Sequence, residues 1–156
     1  MKTLILYATK HGAAREIAAG IGRQIDGAVV HDLKVGGMPA LSDFDCIIIG
    51  SSLYAGSIRK EEKTFLSQNA AQLQGKKVGL FLSGISKGET EKSFADNFPS
   101  ALLQAATAKR FLGGIFDPKK AGAAERLIMK AVTKGAGYVN TIEDEDIRQF
   151  AELMKA

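Results

Sequence analysis

Residues 2–18 read Lys-Thr-Leu-Ile-Leu-Tyr-Ala-Thr-Lys-His-Gly-Ala-Ala-Arg-Glu-Ile-Ala. The apolar run Leu4–Tyr7 is nearly continuous, which is typical of a short strand buried on both faces. A polar loop with Gly12 follows, and from Ala13 an isoleucine recurs at positions 17, 21 and 25, the spacing of an amphipathic helix. A strand that leads through a short loop straight into a helix indicates an α/β fold.

The same alternation continues along the chain. Four further short apolar runs predict strands at Ala28–Val30, Cys46–Ile49, Val78–Leu82 and Phe111–Phe116. Amphipathic stretches predict helices at 60–73, at 89–106 with a break at Pro99, and at 143–154. Right-handed crossovers then predict an α/β fold with a three-layer, doubly wound, five-stranded parallel sheet of strand order 2-1-3-4-5. We expect residues 1–156 to form a single domain of this kind, with an inserted helix at about 122–134.

Composition limits the classes of function. The chain has 21 Lys and Arg against 17 Asp and Glu, a net charge of +4 that is too small to indicate a nucleic-acid partner. No apolar run approaches the roughly 18 residues of a membrane-spanning helix. A single cysteine, Cys46, excludes an intrachain disulfide and a cysteine-only metal cage. We therefore expect a cytoplasmic protein that binds no metal.

In such a sheet, ligands bind at the carboxyl ends of the strands, close to where the strand order reverses. The first loop at this edge joins the first strand to the first helix. The free N–H groups of a helix start, together with a hydroxyl and a glycine in the loop, are typical of an anion-binding site. The candidate binding residues in this loop are Thr9, Lys10, His11, Gly12, Ala13 and Ala14.

Two further loops reach the same edge. The second loop brackets a tyrosine between glycines, which suits the edge and face of a planar heterocycle; its candidate residues are Ser51, Ser52, Leu53, Tyr54, Ala55 and Gly56. The third loop is small, polar and glycine-rich, with candidate residues Ser83, Gly84, Ile85, Ser86 and Lys87. Each loop taken alone also fits an ordinary turn, and the case for a site rests on their convergence. The sequence indicates no catalytic residue.

Other phosphate-binding loops do not match. Gly79 and Gly84 have the spacing of a P-loop, but Ile85 stands where the lysine is required. The pair Gly20 and Gly22 lies inside a predicted helix and therefore cannot open a dinucleotide fingerprint. A receiver domain would carry an aspartate at the end of the third strand, where this chain has Gly50.

Residues 2–9, with Gly12 and Ala18, resemble the FMN phosphate loop of flavodoxins. The resemblance implies FMN as the cofactor, with its phosphate over residues 9–14 and its isoalloxazine ring between the second and third loops. Ala14 stands where the family pattern has a phosphate-binding threonine. The phosphate would then rely on Thr9, His11 and backbone N–H groups.

Within that family, the chain is most similar to the menaquinone-dependent protoporphyrinogen oxidases of bacteria. The similarity lies in the opening residues, in Arg15–Ala18 and Ile49–Gly56, and in Phe111–Phe116 with the following Leu127–Lys130. The oxidases carry a longer, basic loop after the fourth strand, whereas Ser83–Glu91 is compact.

Three functions follow as hypotheses: an FMN-binding redox protein that transfers electrons, a quinone-dependent protoporphyrinogen IX oxidase, and a flavodoxin-like interaction module without FMN. The expected partner is a redox protein or a quinone. The inserted helix carries an apolar stripe flanked by cations, which suits a core-docked helix with a basic face, contact with an acidic partner, or peripheral contact with the inner face of the cell membrane.

Overall fold

The structure is a computed structural model and describes residues 1–132 and 137–156. Its main sheet has five parallel strands in the order β2-β1-β3-β4-β5, which confirms the predicted topology. The strands are β1 Thr3–Ala8, β2 Val29–Asp32, β3 Cys46–Ser52, β4 Lys77–Ser83 and β5 Ala108–Phe111.

Helices cover both faces of this sheet. They are α1 Ala13–Gln24, α2 Lys60–Leu73, α3 Thr90–Asn97, α4 Ser100–Ala105, α5 Ala123–Val132 and α6 Asp144–Lys155, with a 3-10 turn at Leu41–Asp43. The break between α3 and α4 falls at Pro99, as the sequence predicts. No helix in the described part of the chain is both long and apolar enough to cross a bilayer.

Two apolar cores, one on each face of the sheet, make the three layers. Side chains alternate along a strand, so Ile5 and Ile48 pack toward α1 and α6, while Leu4 and Ile47 pack toward α2 and α3. The larger buried contributors from the helices are Ile17, Ile21, Phe150 and Met154 on the first face and Phe65, Leu66 and Phe94 on the second. Because both faces are covered, the central strands are apolar at nearly every position.

The predicted fifth strand was wrong in position. The strand that pairs with β4 is Ala108–Phe111, whereas Ile115–Phe116 forms β6 and pairs antiparallel with β7, Val139–Asn140. Gly113, at φ 82°, turns the chain away from the sheet between them. The apolar run therefore spans the end of one strand, a glycine turn and a second strand.

The inserted helix is present as α5, Ala123–Val132; positions 133 and 134 of the predicted helix lie outside the described residues. Leu127 is 72% exposed and Ile128 61% exposed, so these two apolar side chains lie outside the core, whereas Met129 is half-buried. The exposure of Leu127 and Ile128 differs from what the core-docked placement predicts for this part of the helix.

Glu62, in the first turn of α2, is fully buried, and neither carboxylate oxygen has a hydrogen-bond partner in the described part of the protein. Burial raises the pKa of this side chain well above 4.5. The folded state therefore holds the proton at a pH where the unfolded state releases it, and the free energy of unfolding falls as pH rises through that interval.

Replacing this carboxyl should make the protein more stable at neutral pH. We expect Glu62→Gln to raise the free energy of unfolding by about 1–3 kcal/mol at neutral pH, with a smaller gain near pH 5. Urea unfolding from about pH 5 to about pH 8 measures this, with Glu61→Gln in the same helical turn as the control. A gain that is the same at both ends of the pH range would contradict the assignment.

Candidate functional site

The loop between β1 and α1 is organised by Thr9 and Gly12. The Gly12 N–H donates to Thr9 Oγ1 at 2.9 Å, and Gly12 has φ 101°, a left-handed conformation that glycine adopts readily. The next three N–H groups, of Ala13, Ala14 and Arg15, find no acceptor within residues 1–132 and 137–156. Together with the positive end of the helix dipole, this arrangement is typical of an anion-binding site.

Two serines at the end of β3 fix the second loop against its neighbours. The Lys10 N–H donates to Ser52 Oγ at 3.1 Å, which joins the first loop to the second. Ser51 is fully buried, and its Oγ accepts the Arg59 N–H at 2.9 Å. Ser51 therefore positions the start of α2.

The tip of the second loop is a tight turn. Tyr54 and Ser57 exchange backbone hydrogen bonds of 2.9 and 3.0 Å. The two residues between them are both left-handed, Ala55 at φ 51° and Gly56 at φ 79°. Glycine accepts this conformation without strain, whereas alanine does so at a cost of about 1–2 kcal/mol.

The third loop packs against the second loop and against the segment that follows β5. The Leu53 N–H donates to the Ser83 carbonyl at 2.8 Å, and the Gly84 N–H donates to the Gly113 carbonyl at 3.1 Å. A Cβ on Gly114 would lie 2.6 Å from the Gly84 backbone, so this contact requires glycine. The three predicted loops therefore meet at one edge of the sheet.

A cavity of about 230 Å³ lies where these loops meet. The predicted residues that line it are Lys10, His11, Ala13, Ser52, Leu53, Tyr54, Ala55, Ser83, Gly84 and Ile85. The other predicted residues do not line the cavity: Thr9, Gly12, Ala14, Ser51, Gly56, Ser86 and Lys87. Ser86 and Lys87 are exposed at the far end of the third loop.

One wall of the cavity was not predicted. It comes from the segment after β5 and from α5, through Gly114, Ile115, Phe116, Glu125, Ile128 and Met129. The sequence contained a signal for the first part, the glycine pair inside an apolar run. The position of α5 depends on contacts between residues that are far apart in the chain, and local spacing cannot show these.

Glu125 connects α5 to the first loop. Its carboxylate forms an ion pair with Lys10 Nζ and lies 2.9 Å from His11 Nε2. Lys10 Nζ also lies 3.5 Å from the centre of the Tyr54 ring, a cation–π contact. Despite the nearby carboxylate, burial lowers the pKa of His11, and the charges of Lys10, Lys120 and Arg59 lower it further.

Residues 4–141 match the flavodoxin domain family, and the chain belongs to that family. A flavodoxin from Streptococcus pneumoniae TIGR4 superposes with a TM-score of 0.62 at 19% identity, covering 99% of this chain and 96% of that one. A flavoprotein in complex with FMN from Lactobacillus acidophilus NCFM gives a TM-score of 0.50 at 20% identity, covering 72% and 91%. These structural matches show the shared fold.

A relative with a named activity is more similar in sequence. The protoporphyrinogen IX dehydrogenase [quinone] of Escherichia coli strain K12 is 29% identical over 99 residues. The match covers 59% of this chain and 53% of the relative, so the chain spans about half the length of the curated relatives it matches.

Removing the Glu125 charge should loosen α5. We expect Glu125→Gln to speed tryptic cleavage at Arg126 and Lys130 severalfold, because the ion pair with Lys10 is lost. The control is Glu91→Gln, which removes an exposed charge from α3. Cleavage of Glu125→Gln at the wild-type rate would contradict the anchoring role.

Proposed function

We propose that this protein binds FMN in the cleft at the carboxyl edge of the sheet and transfers electrons through it. The observation that carries the proposal is the row of N–H groups at Ala13, Ala14 and Arg15, which have no acceptor among the described residues and lie beside a cleft with apolar walls. A monoester phosphate matches the first feature, and a flat aromatic ring matches the second. The family membership and the FMN-bound relative support the choice of flavin.

The chain's own residues divide the binding task. The start of α1 and Thr9 would hold the phosphate, and Ala14 adds no hydroxyl there. Tyr54 would cover the ring, and the second and third loops would contact its edge through backbone groups. Bound FMN would supply one- and two-electron chemistry.

The turn at Ala55 and Gly56 is suited to form a hydrogen bond with the flavin ring when a ring nitrogen is protonated. The peptide between the two residues can present its carbonyl as a hydrogen-bond acceptor, since Gly56 tolerates a change in φ. The carbonyl of Gly56 itself already accepts from Asn97 Nδ2 at 2.9 Å, which ties the turn to α3. The Ala55 carbonyl would therefore accept a hydrogen bond from a protonated nitrogen of the flavin ring.

The cleft wall formed by the segment after β5 and by α5 is suited to contact a redox partner. The cleft is lined here by the apolar side chains of Phe116, Ile128 and Met129, and Ile128 is also exposed on the outer surface of α5. An apolar wall that reaches solvent gives a redox protein or a quinone access to the ring. The protein would then exchange electrons at this side.

FMN binding to the purified protein tests the proposal directly. We expect FMN to bind at least tenfold more tightly than riboflavin, because charge-assisted hydrogen bonds to the phosphate contribute about 1.5–3 kcal/mol. Quenching of flavin fluorescence measures both dissociation constants. Absence of flavin binding would overturn the proposal and favour the interaction module, and equal affinities would remove the phosphate site.

A second candidate function is the quinone-dependent oxidation of protoporphyrinogen IX. It is favoured by the relative from E. coli, which carries that activity in its name. The outer surface of α5 is a second reason: the exposed apolar side chains of Leu127 and Ile128 lie in a helix that also carries Arg126 and Lys130. Apolar residues flanked by cations fit an anionic lipid surface, and we propose that α5 makes peripheral contact with the membrane.

This candidate is tested with menaquinone held in phosphatidylglycerol and phosphatidylethanolamine vesicles. We expect the FMN-loaded protein to form protoporphyrin from protoporphyrinogen, measured by fluorescence. Leu127→Asp should lower that rate severalfold while leaving the rate with a water-soluble quinone unchanged, because only membrane contact is lost. Val35→Asp, in a similarly exposed loop position, is the control. No protoporphyrin above the protein-free rate would exclude the oxidase.

A further inference from the structure

Arg59 lies where the start of α2 meets the candidate phosphate loop. Its backbone N–H is held by Ser51 Oγ at 2.9 Å, and the adjacent Ser52 Oγ holds the Lys10 N–H at 3.1 Å. These two hydrogen bonds connect Arg59 to the loop between β1 and α1 through neighbouring residues of β3. The position of Arg59 is therefore fixed by the same strand end that fixes Lys10.

The guanidinium of Arg59 has no ion-pair partner in the part of the chain that the structure describes. Its Nε atom is buried without a hydrogen-bond acceptor, and the side chain forms no ion pair within residues 1–132 and 137–156. A buried donor of this kind costs about 1–3 kcal/mol unless an acceptor is supplied, and more when it is charged. Arginine is always protonated, so an anion is the acceptor that would also balance its charge.

The other basic groups of the loop are already compensated. Lys10 forms an ion pair with Glu125, and His11 lies 2.9 Å from the same carboxylate. Burial and neighbouring cations lower the pKa of His11, which favours the neutral imidazole at pH 7, and the charge of Arg59 is one of these cations. Arg59 is thus close enough to His11 for its charge to act on it, and like Arg15 it forms no ion pair within residues 1–132 and 137–156.

We propose that the Arg59 guanidinium binds the phosphate of FMN, alongside the N–H groups of Ala13, Ala14 and Arg15. The proposal rests on the proposed function and adds a residue to it. A guanidinium offers two parallel donors to phosphate oxygens, which supplies charge and direction where Ala14 supplies no hydroxyl. In this proposal Arg59 is the charged side-chain ligand of the phosphate, and the sequence-based roles of Thr9 and His11 stay predictions.

The test compares FMN and riboflavin binding to the full chain carrying Arg59→Gln, Arg59→Lys or the control Arg110→Gln. Arg110 is an exposed cation on the edge strand β5, so its loss reports any long-range effect of charge. We expect Arg59→Gln to weaken FMN binding by about 10- to 100-fold and to leave riboflavin binding within twofold of wild type. Arg59→Lys should recover part of the loss, and Arg110→Gln should bind both flavins as wild type does.

Thermal unfolding of the flavin-free protein separates a ligand from a structural role. Because the Arg59 side chain forms no ion pair within residues 1–132 and 137–156 and its Nε has no acceptor there, we expect apo Arg59→Gln to unfold at the wild-type temperature or above it. Unchanged FMN affinity, an equal loss for FMN and riboflavin, or a destabilised apo protein would each overturn the role of Arg59. If wild type binds neither FMN nor riboflavin, the proposed function is overturned together with this inference.

Discussion

Three backbone N–H groups at the start of α1 find no acceptor in the described part of the chain, and the rest of the candidate site is arranged around them. They are exposed in this way because the chain passes from β1 to α1 within four residues, Thr9 to Gly12. Gly12 makes so short a connection possible by adopting φ 101°, and Thr9 ties the loop by accepting its N–H. A helix start that is this close to a strand end concentrates positive potential at one point of the surface.

The charges around this point fall into two groups. Lys10 and His11 face the carboxylate of Glu125 on α5, and this negative charge offsets much of the positive potential at the loop. Arg59 forms no ion pair among the described residues, and we propose that it binds an external anion. Glu125 also links the candidate phosphate loop to the cleft wall where a redox partner would approach. It belongs to α5, whose apolar residues form part of that wall. The loop that would bind the phosphate and the helix that would control access to the ring, α5, are therefore in direct contact through Glu125.

The sequence predicted what depends on local periodicity. The apolar strands, the isoleucine stripe of α1 and the topology rule for crossovers were sufficient to derive the sheet order and the edge at which the loops converge. They were not sufficient for β5, because Lys109 and Arg110 make this edge strand look polar and the apolar run continues past Gly113. Glu125 could not be assigned either, since it meets Lys10 across 115 positions. Arg59 was missed for a different reason: an unpartnered guanidinium is recognised only when its surroundings are known.

The central claim, that the first turn of α1 binds a phosphate, is tested most directly by amide NMR of the flavin-free protein titrated with FMN and with riboflavin. A new hydrogen bond to a phosphate oxygen moves an amide proton downfield. The account predicts that the amides of Ala13, Ala14 and Arg15 move with FMN and stay in place with riboflavin, while residues of the second loop respond to both. If both flavins leave these three amides unmoved, or move them alike, the phosphate is held elsewhere and the account is wrong.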